Sequence, residues 1–248
     1  GLYEESLGIG RELAGRLSGD VQARRDLTVA LNNVAGMLET SDPRRAVELY
    51  EESLGIGREL AGRLLGDVQA RRDLTVALDN VAGMLKNSDP RRAVELYEES
   101  LDIRQDLAGR LPGNFQARRD LTIALDNVAG MLKNSDSRRA LGLYEESLGI
   151  SRELAAQLPG NLQALWDLGA AAARLAQLLP TKHPERIPLW REAAISFRDA
   201  LAIQPENKEL ARMSYYAALT YADCDPDDRD EWLAYAAELA ERFGFGKQ

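Results

Sequence analysis

Residues 26–56 read DLTVALNNVAGMLETSDPRRAVELYEESLGI, and the stretch returns almost unchanged at 73–103 and again at 120–150. The period is 47, marked by Leu2-Tyr3, Leu49-Tyr50, Leu96-Tyr97 and Leu143-Tyr144. Residues 2–48 and 49–95 differ at four positions: Ser18/Leu65, Asn32/Asp79, Glu39/Lys86 and Thr40/Asn87. Self-similarity at such a period marks a solenoid, whose units bury their apolar faces against one another rather than in one globular core.

Each unit divides into two helices. Leu27, Ala30, Leu31, Val34, Ala35 and Leu38 follow the 3-4-3 spacing of one helix face. Asp20 is a candidate N-cap and Thr40-Ser41 an exit, which predicts a first helix, A, over about 21–39. Asp42-Pro43 then supplies an N-cap and a proline at the first helical position. Ala46, Leu49, Tyr50, Ser53, Leu54, Ile56 and Leu60 carry the stripe through a second helix, B, over about 43–64. Short links force successive helices to run antiparallel. Gly55 and Gly57 fall inside helix B, where each costs about 1 kcal/mol against alanine. Either one long helix tolerates them or the helix bends there.

Applied to the whole chain, this pattern gives a leading helix B over 1–17 and near-identical repeats over 21–64, 68–111 and 115–158. A divergent repeat follows over 162–204, with an insertion PTKHPERIP at 180–188, and a last, capping pair spans 206–243. The expectation is an all-α, right-handed superhelical solenoid of 11 helices in a single array. The chain begins without Met inside a helical pattern, so we expect it to be a piece of a longer parent.

The totals narrow the function. A net charge of −9, from 31 basic and 40 acidic residues, argues against duplex nucleic acid, which needs a basic face. No apolar run approaches the roughly 20 residues of a membrane span. Cys224 is the single cysteine, which rules out an internal disulfide and fits a reducing, cytoplasmic setting.

Small and large residues alternate in a specific order. Leu31, Val34, Ala35 and Leu38 are followed by Ala46, Tyr50, Ser53, Leu54 and Ile56; later come Ala193, Phe197, Ala200, Leu201, Ile203 and Pro205. This order resembles the tetratricopeptide repeat (TPR). The LNNVA and LDNVA segments resemble the long-helix repeats of kinesin light chains and of many bacterial signalling proteins. The chain departs from the family pattern in its period of 47 and in a shorter A-to-B turn. Arg58, Gln105 and Arg152 also stand where the family has a closing proline, so the early B helices should run on. In the expected packing, Ala35 and Ala46 let two helices approach, while Tyr50 and Leu54 fill the space against the next unit.

The resemblance implies a non-enzymatic scaffold that holds a protein or extended peptide in a concave groove lined by helix A, without a cofactor. It further implies a sensor or adaptor region of a larger bacterial protein. Asn33, Asn80 and Asn127 stand one period apart on helix A, where family members use asparagine to hold a peptide backbone. An amide both donates and accepts, which suits that task, although the same residues can instead bond within the array. Arg174 takes this position in the fourth repeat and is able to receive a carboxylate. Asn32, Asp79, Asp126, Lys86 and Lys133 complete the candidate ligand-binding face. Gly36, Gly83 and Gly130 lie beside them, either for close packing or for an open groove floor.

Other features favour plain structural readings. Arginine pairs such as Arg44-Arg45, in step with Glu48, Glu51 and Glu52, read as a solvated charge lattice, with Arg44 and Glu48 positioned to pair. His183 and Cys224 are too few for a metal or nucleophile site. Asp223, Asp225 and Asp227 have calcium-loop spacing, but residue 228 is Asp and residue 234 is Ala where such a loop needs Gly and Glu. That segment reads better as a helix started by Asp225-Pro226. The second functional class left open is end-to-end self-assembly through the exposed N-terminal helix.

Overall fold

The computed structural model describes residues 2–17 and 19–246. Ser18, one of the positions that differ between copies, lies outside them. The described residues form eleven helices and no strand: α1 (Leu2–Arg16), α2 (Val21–Leu38), α3 (Pro43–Arg63), α4 (Val68–Leu85), α5 (Pro90–Arg110), α6 (Phe115–Leu132), α7 (Ser137–Gln157), α8 (Leu162–Leu178), α9 (Arg186–Ile203), α10 (Lys208–Cys224) and α11 (Arg229–Phe243). None is long and apolar enough to cross a membrane. The fold is all-α, a succession of antiparallel helix pairs. Two compact units divide the chain after Ala117.

In the first unit, α2 packs on α1 and α3, and α4 on α3 and α5. The predicted stripes are the buried faces: Leu27, Ala30, Leu31, Val34 and Ala35 on α2, and Ala46, Leu49, Tyr50, Leu54, Ile56 and Leu60 on α3. Ala35 and Ala46 are fully buried, as close approach of the pair requires. Tyr50 is buried, and its hydroxyl donates to Glu39 Oε1, just past the end of α2, at 2.7 Å. A Cβ at Gly36 would lie 3.5 Å from that hydroxyl, and Gly83 stands likewise 3.7 Å from Tyr97. The glycines therefore sit under tyrosine hydroxyls at ordinary contact distance.

Helix starts follow the capping chemistry. Asp20 and Asp67 accept from the backbone N–H groups of Ala23 and Ala70 at 2.8 and 2.6 Å. Asp42, Asp89 and Asp136 each accept from the third residue on, at 3.1 Å. Helix α3 runs unbroken through Gly55 and Gly57. It ends at Arg63, past Arg58, as the missing proline predicts, whereas α9 ends at Ile203, just before Pro205. Gly66 takes φ +88° in the turn that follows α3.

The second unit is built around Tyr144, Leu148, Ala172, Ala193, Phe197 and Tyr221, with Trp190 and Trp232 alongside. Gly169 is tightly enclosed here: a Cβ would meet the Phe197 ring at 3.0 to 3.1 Å, so the ring would have to shift. Tyr221, Trp232 and Tyr235 meet edge to face between α10 and α11.

Three local expectations need correction. Helix α9 begins at Arg186, so the last three residues of the predicted 180–188 insertion form its first turn. Asp225-Pro226 does not start a helix; α11 begins at Arg229, and Asp225 instead caps the end of α10. The Tyr221 phenol lies 2.8 Å from both Asp225 and Asp228, so one proton serves two acceptors and holds the loop in place of a helical start. Glu48 pairs with Arg45 at 2.7 Å rather than with Arg44. The charge lattice also links the second helices of successive pairs, as in Arg11–Glu52 (α1 to α3) and Arg58–Glu99 (α3 to α5), at 2.5 and 2.7 Å.

Candidate functional site

In both units the first helices of successive pairs lie side by side, stitched by arginine–aspartate bonds. Arg25 on α2 donates to Asp73 and Asp67, each at 3.0 Å. Arg119 on α6 donates to Asp167 on α8 at 2.6 Å. The candidate ligand-binding residues stand on these helices or, for Lys86 and Lys133, just past their ends.

The asparagine ladder is unengaged. Asn33 is exposed, while Asn80 and Asn127 are half-buried. Among the described residues their side chains make no hydrogen bond, so the bonding-within-the-array alternative has no support in the geometry.

Their neighbours are largely occupied. Arg104 on α5, buried, donates from Nη2 to Asp79 Oδ2 at 2.7 Å. Burial holds the Asp79 carboxyl above its usual range and outweighs the nearby Arg104 and Ser100. Asp126 accepts from Arg174 at 2.7 Å, and burial raises its carboxyl too, against the pull of Arg174. Arg174, expected to be free for a carboxylate, is thus already paired, although about half of its side chain stays exposed. Lys86 lies 5.5 Å from the centroid of the Tyr97 ring. Lys133 is exposed and shares a cleft of about 340 Å³ with Tyr144, Arg174 and Gln177. Asn32 stays half-buried, and its Oδ1 is buried without a partner.

Sequence reasoning missed Arg104 as a partner of Asp79. The signal was present: one period on, Asn32 becomes Asp79 and Gly57 becomes Arg104. The two changes place an acid and a base where the first repeat has neither. Also unforeseen is an open cleft of about 640 Å³ in the second unit, bordered by Leu165, Ile187, Pro188, Arg191 and Ile195.

The remaining reactive groups are placed structurally. His183 Nδ1 accepts from the Glu185 N–H at 3.3 Å and closes a turn. Cys224 is a half-buried free thiol. Among the described residues no three acidic, histidine or cysteine side chains converge on a metal position.

No family model and no curated protein matches the chain. Solved structures overlap it at low identity. A MamA RS-1 double mutant aligns at TM-score 0.47 and 18% identity, over 87% of this chain and 95% of its own. A MamA fragment from Desulfovibrio magneticus RS-1 aligns at 0.44 and 16%, over 87% and 96%. A kinesin light chain from Podospora anserina with nearly identical TPR-like repeats aligns at 0.42 and 18%, over 77% and 94%. The fold class itself stands on the helices and packing of this chain.

Proposed function

We propose that the chain is a non-enzymatic scaffold that holds an extended segment of a partner protein on the surface formed by its first helices. The observation that carries this reading is the set of unpartnered amides at Asn33, Asn80 and Asn127. Exposed or half-exposed amides that serve no bond of the array remain free to donate to and accept from a peptide backbone. The first unit offers Asn33 and Asn80. The second offers Asn127, and a cleft in which the exposed Lys133 can give a carboxylate of the partner a charge-assisted bond. A sensor or adaptor role within a larger bacterial protein, in the cytoplasm, fits this reading.

The test replaces Asn33, Asn80 and Asn127 together by Ala and measures capture of partners identified by pull-down and mass spectrometry. Capture should fall at least tenfold while helicity and melting stay at wild-type values. Undiminished capture would move the site, with the 640 Å³ cleft beside Ile187 and Pro188 as the next place to examine.

A second reading, self-assembly, is favoured by α1. Leu13 is 46% exposed, whereas its copy Leu60 is 1% exposed. Ile9 and Leu17 are exposed beside it. If α1 docks on another copy, mass in solution rises with concentration and Leu13→Lys abolishes the rise; a constant monomer mass removes this reading.

A further inference from the structure

The first two repeats carry the same hollow and fill it differently. Asn32, Ser53 and Gly57 correspond, one period on, to Asp79, Ser100 and Arg104. In the second repeat Arg104 places its guanidinium on Asp79, with Ser100 buried alongside. In the first repeat Gly57 supplies no side chain, and a space of about 130 Å³ remains among α2, α3 and α4. Asn32 and Ser53 line it, and Asn32 Oδ1 and Ser53 Oγ are buried without a hydrogen-bond partner. Ser53 is 1% exposed. Val29 and Val76, exposed on α2 and α4, also line the space, so it opens on the first-helix surface.

The polar groups around the hollow determine what it accepts. Arg25 and Asp73 are tied to each other at 3.0 Å, and the Thr28 hydroxyl donates to the Arg25 carbonyl at 2.7 Å. The groups left over are the Asn32 carboxamide and the Ser53 hydroxyl, both neutral. A guanidinium is matched by a carboxylate in the second repeat, and no free carboxylate faces the first. Burying a cation without a counter-charge is costly, whereas a neutral amide loses little if both its donors and acceptors are met. The volume is close to the roughly 150 Å³ in which an apolar cavity holds benzene, but here the lining is polar.

We propose that this hollow is a side-chain pocket for a neutral primary carboxamide, an asparagine or glutamine of the segment bound on the first-helix surface. The pocket rests on that reading of the surface and adds to it a sequence requirement. The Asn32 amide pairs with the guest amide, the Ser53 hydroxyl meets its remaining polar edge, and the bare Gly57 backbone leaves room for it.

The experiment titrates propionamide into the full chain and follows Asn32, Ser53 and Gly57 resonances by NMR, with propionate and methylguanidinium as comparison probes. Saturable shifts at these residues are expected with propionamide and not with the two ions. Gly57→Arg should abolish them, because a Cβ at Gly57 meets Leu74 and Ala77 at ordinary contact distances of 3.5 to 3.8 Å and the added side chain occupies the space. Asn32→Asp, which copies the residue at the equivalent position of the second repeat, should reverse the preference at least tenfold towards methylguanidinium. Equal shifts with all three probes, no saturable shift, or an unchanged preference in Asn32→Asp would overturn the proposal. The probes need no peptide, so pocket binding without partner capture would fault the surface reading alone. Partner capture with no pocket binding would fault this proposal alone.

Discussion

Arg104 and Asp79 form a buried ion pair across one helix pair, Nη2 to Oδ2 at 2.7 Å, at positions where the preceding repeat has Gly57 and Asn32. Arg104 Nε and Nη1 are buried without partners, and so is Asp79 Oδ1. Such a pair adds little net stability, since desolvation consumes most of the attraction, yet losing one member leaves the other uncompensated. Arg104→Ala should therefore cost about 3 kcal/mol in urea denaturation. Adding Asp79→Asn to Arg104→Gly, which restores the first-repeat pair, should recover most of the loss. A double variant no better than the single one would show that the pair is not coupled.

Asp126 provides a pH test. Burial raises its carboxyl above the usual 3.8. A group that binds its proton more tightly in the folded state loses stability as pH rises from its unfolded value through its folded one. Asp126→Asn removes that loss and leaves Arg174 free to turn towards solvent. The stability of the variant relative to wild type should thus increase as pH rises from about 3.8 and then level off. Urea melts of both proteins across this range check it, and a constant difference would contradict it.

The glycines fall into two groups. Gly55 and Gly62 have open space where a Cβ would go, so alanine at either should stabilise by about 1 kcal/mol through helix propensity. Gly66 has φ +88°, and a Cβ at Gly169 would meet the Phe197 ring at 3.0 Å. Alanine at Gly66 or Gly169 should lower the melting temperature. Thermal melts of the four single variants decide the assignment.

The copies also separate two tyrosines. Tyr50 donates to Glu39 at 2.7 Å, whereas Tyr97 has the Lys86 ammonium over its ring. Tyr50→Phe should cost about 1 kcal/mol, the net worth of one such bond. Tyr97→Phe should cost less, since the Lys86 ammonium that bonds the Tyr97 hydroxyl can keep its place over the ring. Equal losses would mean that burial of the hydroxyl, not its partner, sets the effect.

Much of this architecture is legible in the chain because repetition removes ambiguity. The stripe from Leu27 to Leu38 and the caps at Asp20 and Asp42 recur with the same chemistry in each copy, and the helices begin where these residues place them. Where repetition ends, local signals mislead. Asp225-Pro226 resembles a helix start, but the Tyr221 hydroxyl, distant in pattern though near in space, holds Asp225 outside α11. The candidate face is legible as a set of positions, but not in its pairing. That Asp126 is joined to Arg174 on the following first helix, and Asp79 to Arg104 on its own second helix, depends on which neighbour reaches the half-buried carboxylate.

The placement of the partner is tested most directly by a photo-crosslinking amino acid installed singly at Asn33, Asn80 or Asn127 and, for comparison, at Glu48 or Glu95 on the second helices. Partner adducts should form from the three first-helix positions and be at least tenfold weaker from the two second-helix positions. Adducts of equal yield from Glu48 and Glu95 would contradict a binding surface built from the first helices.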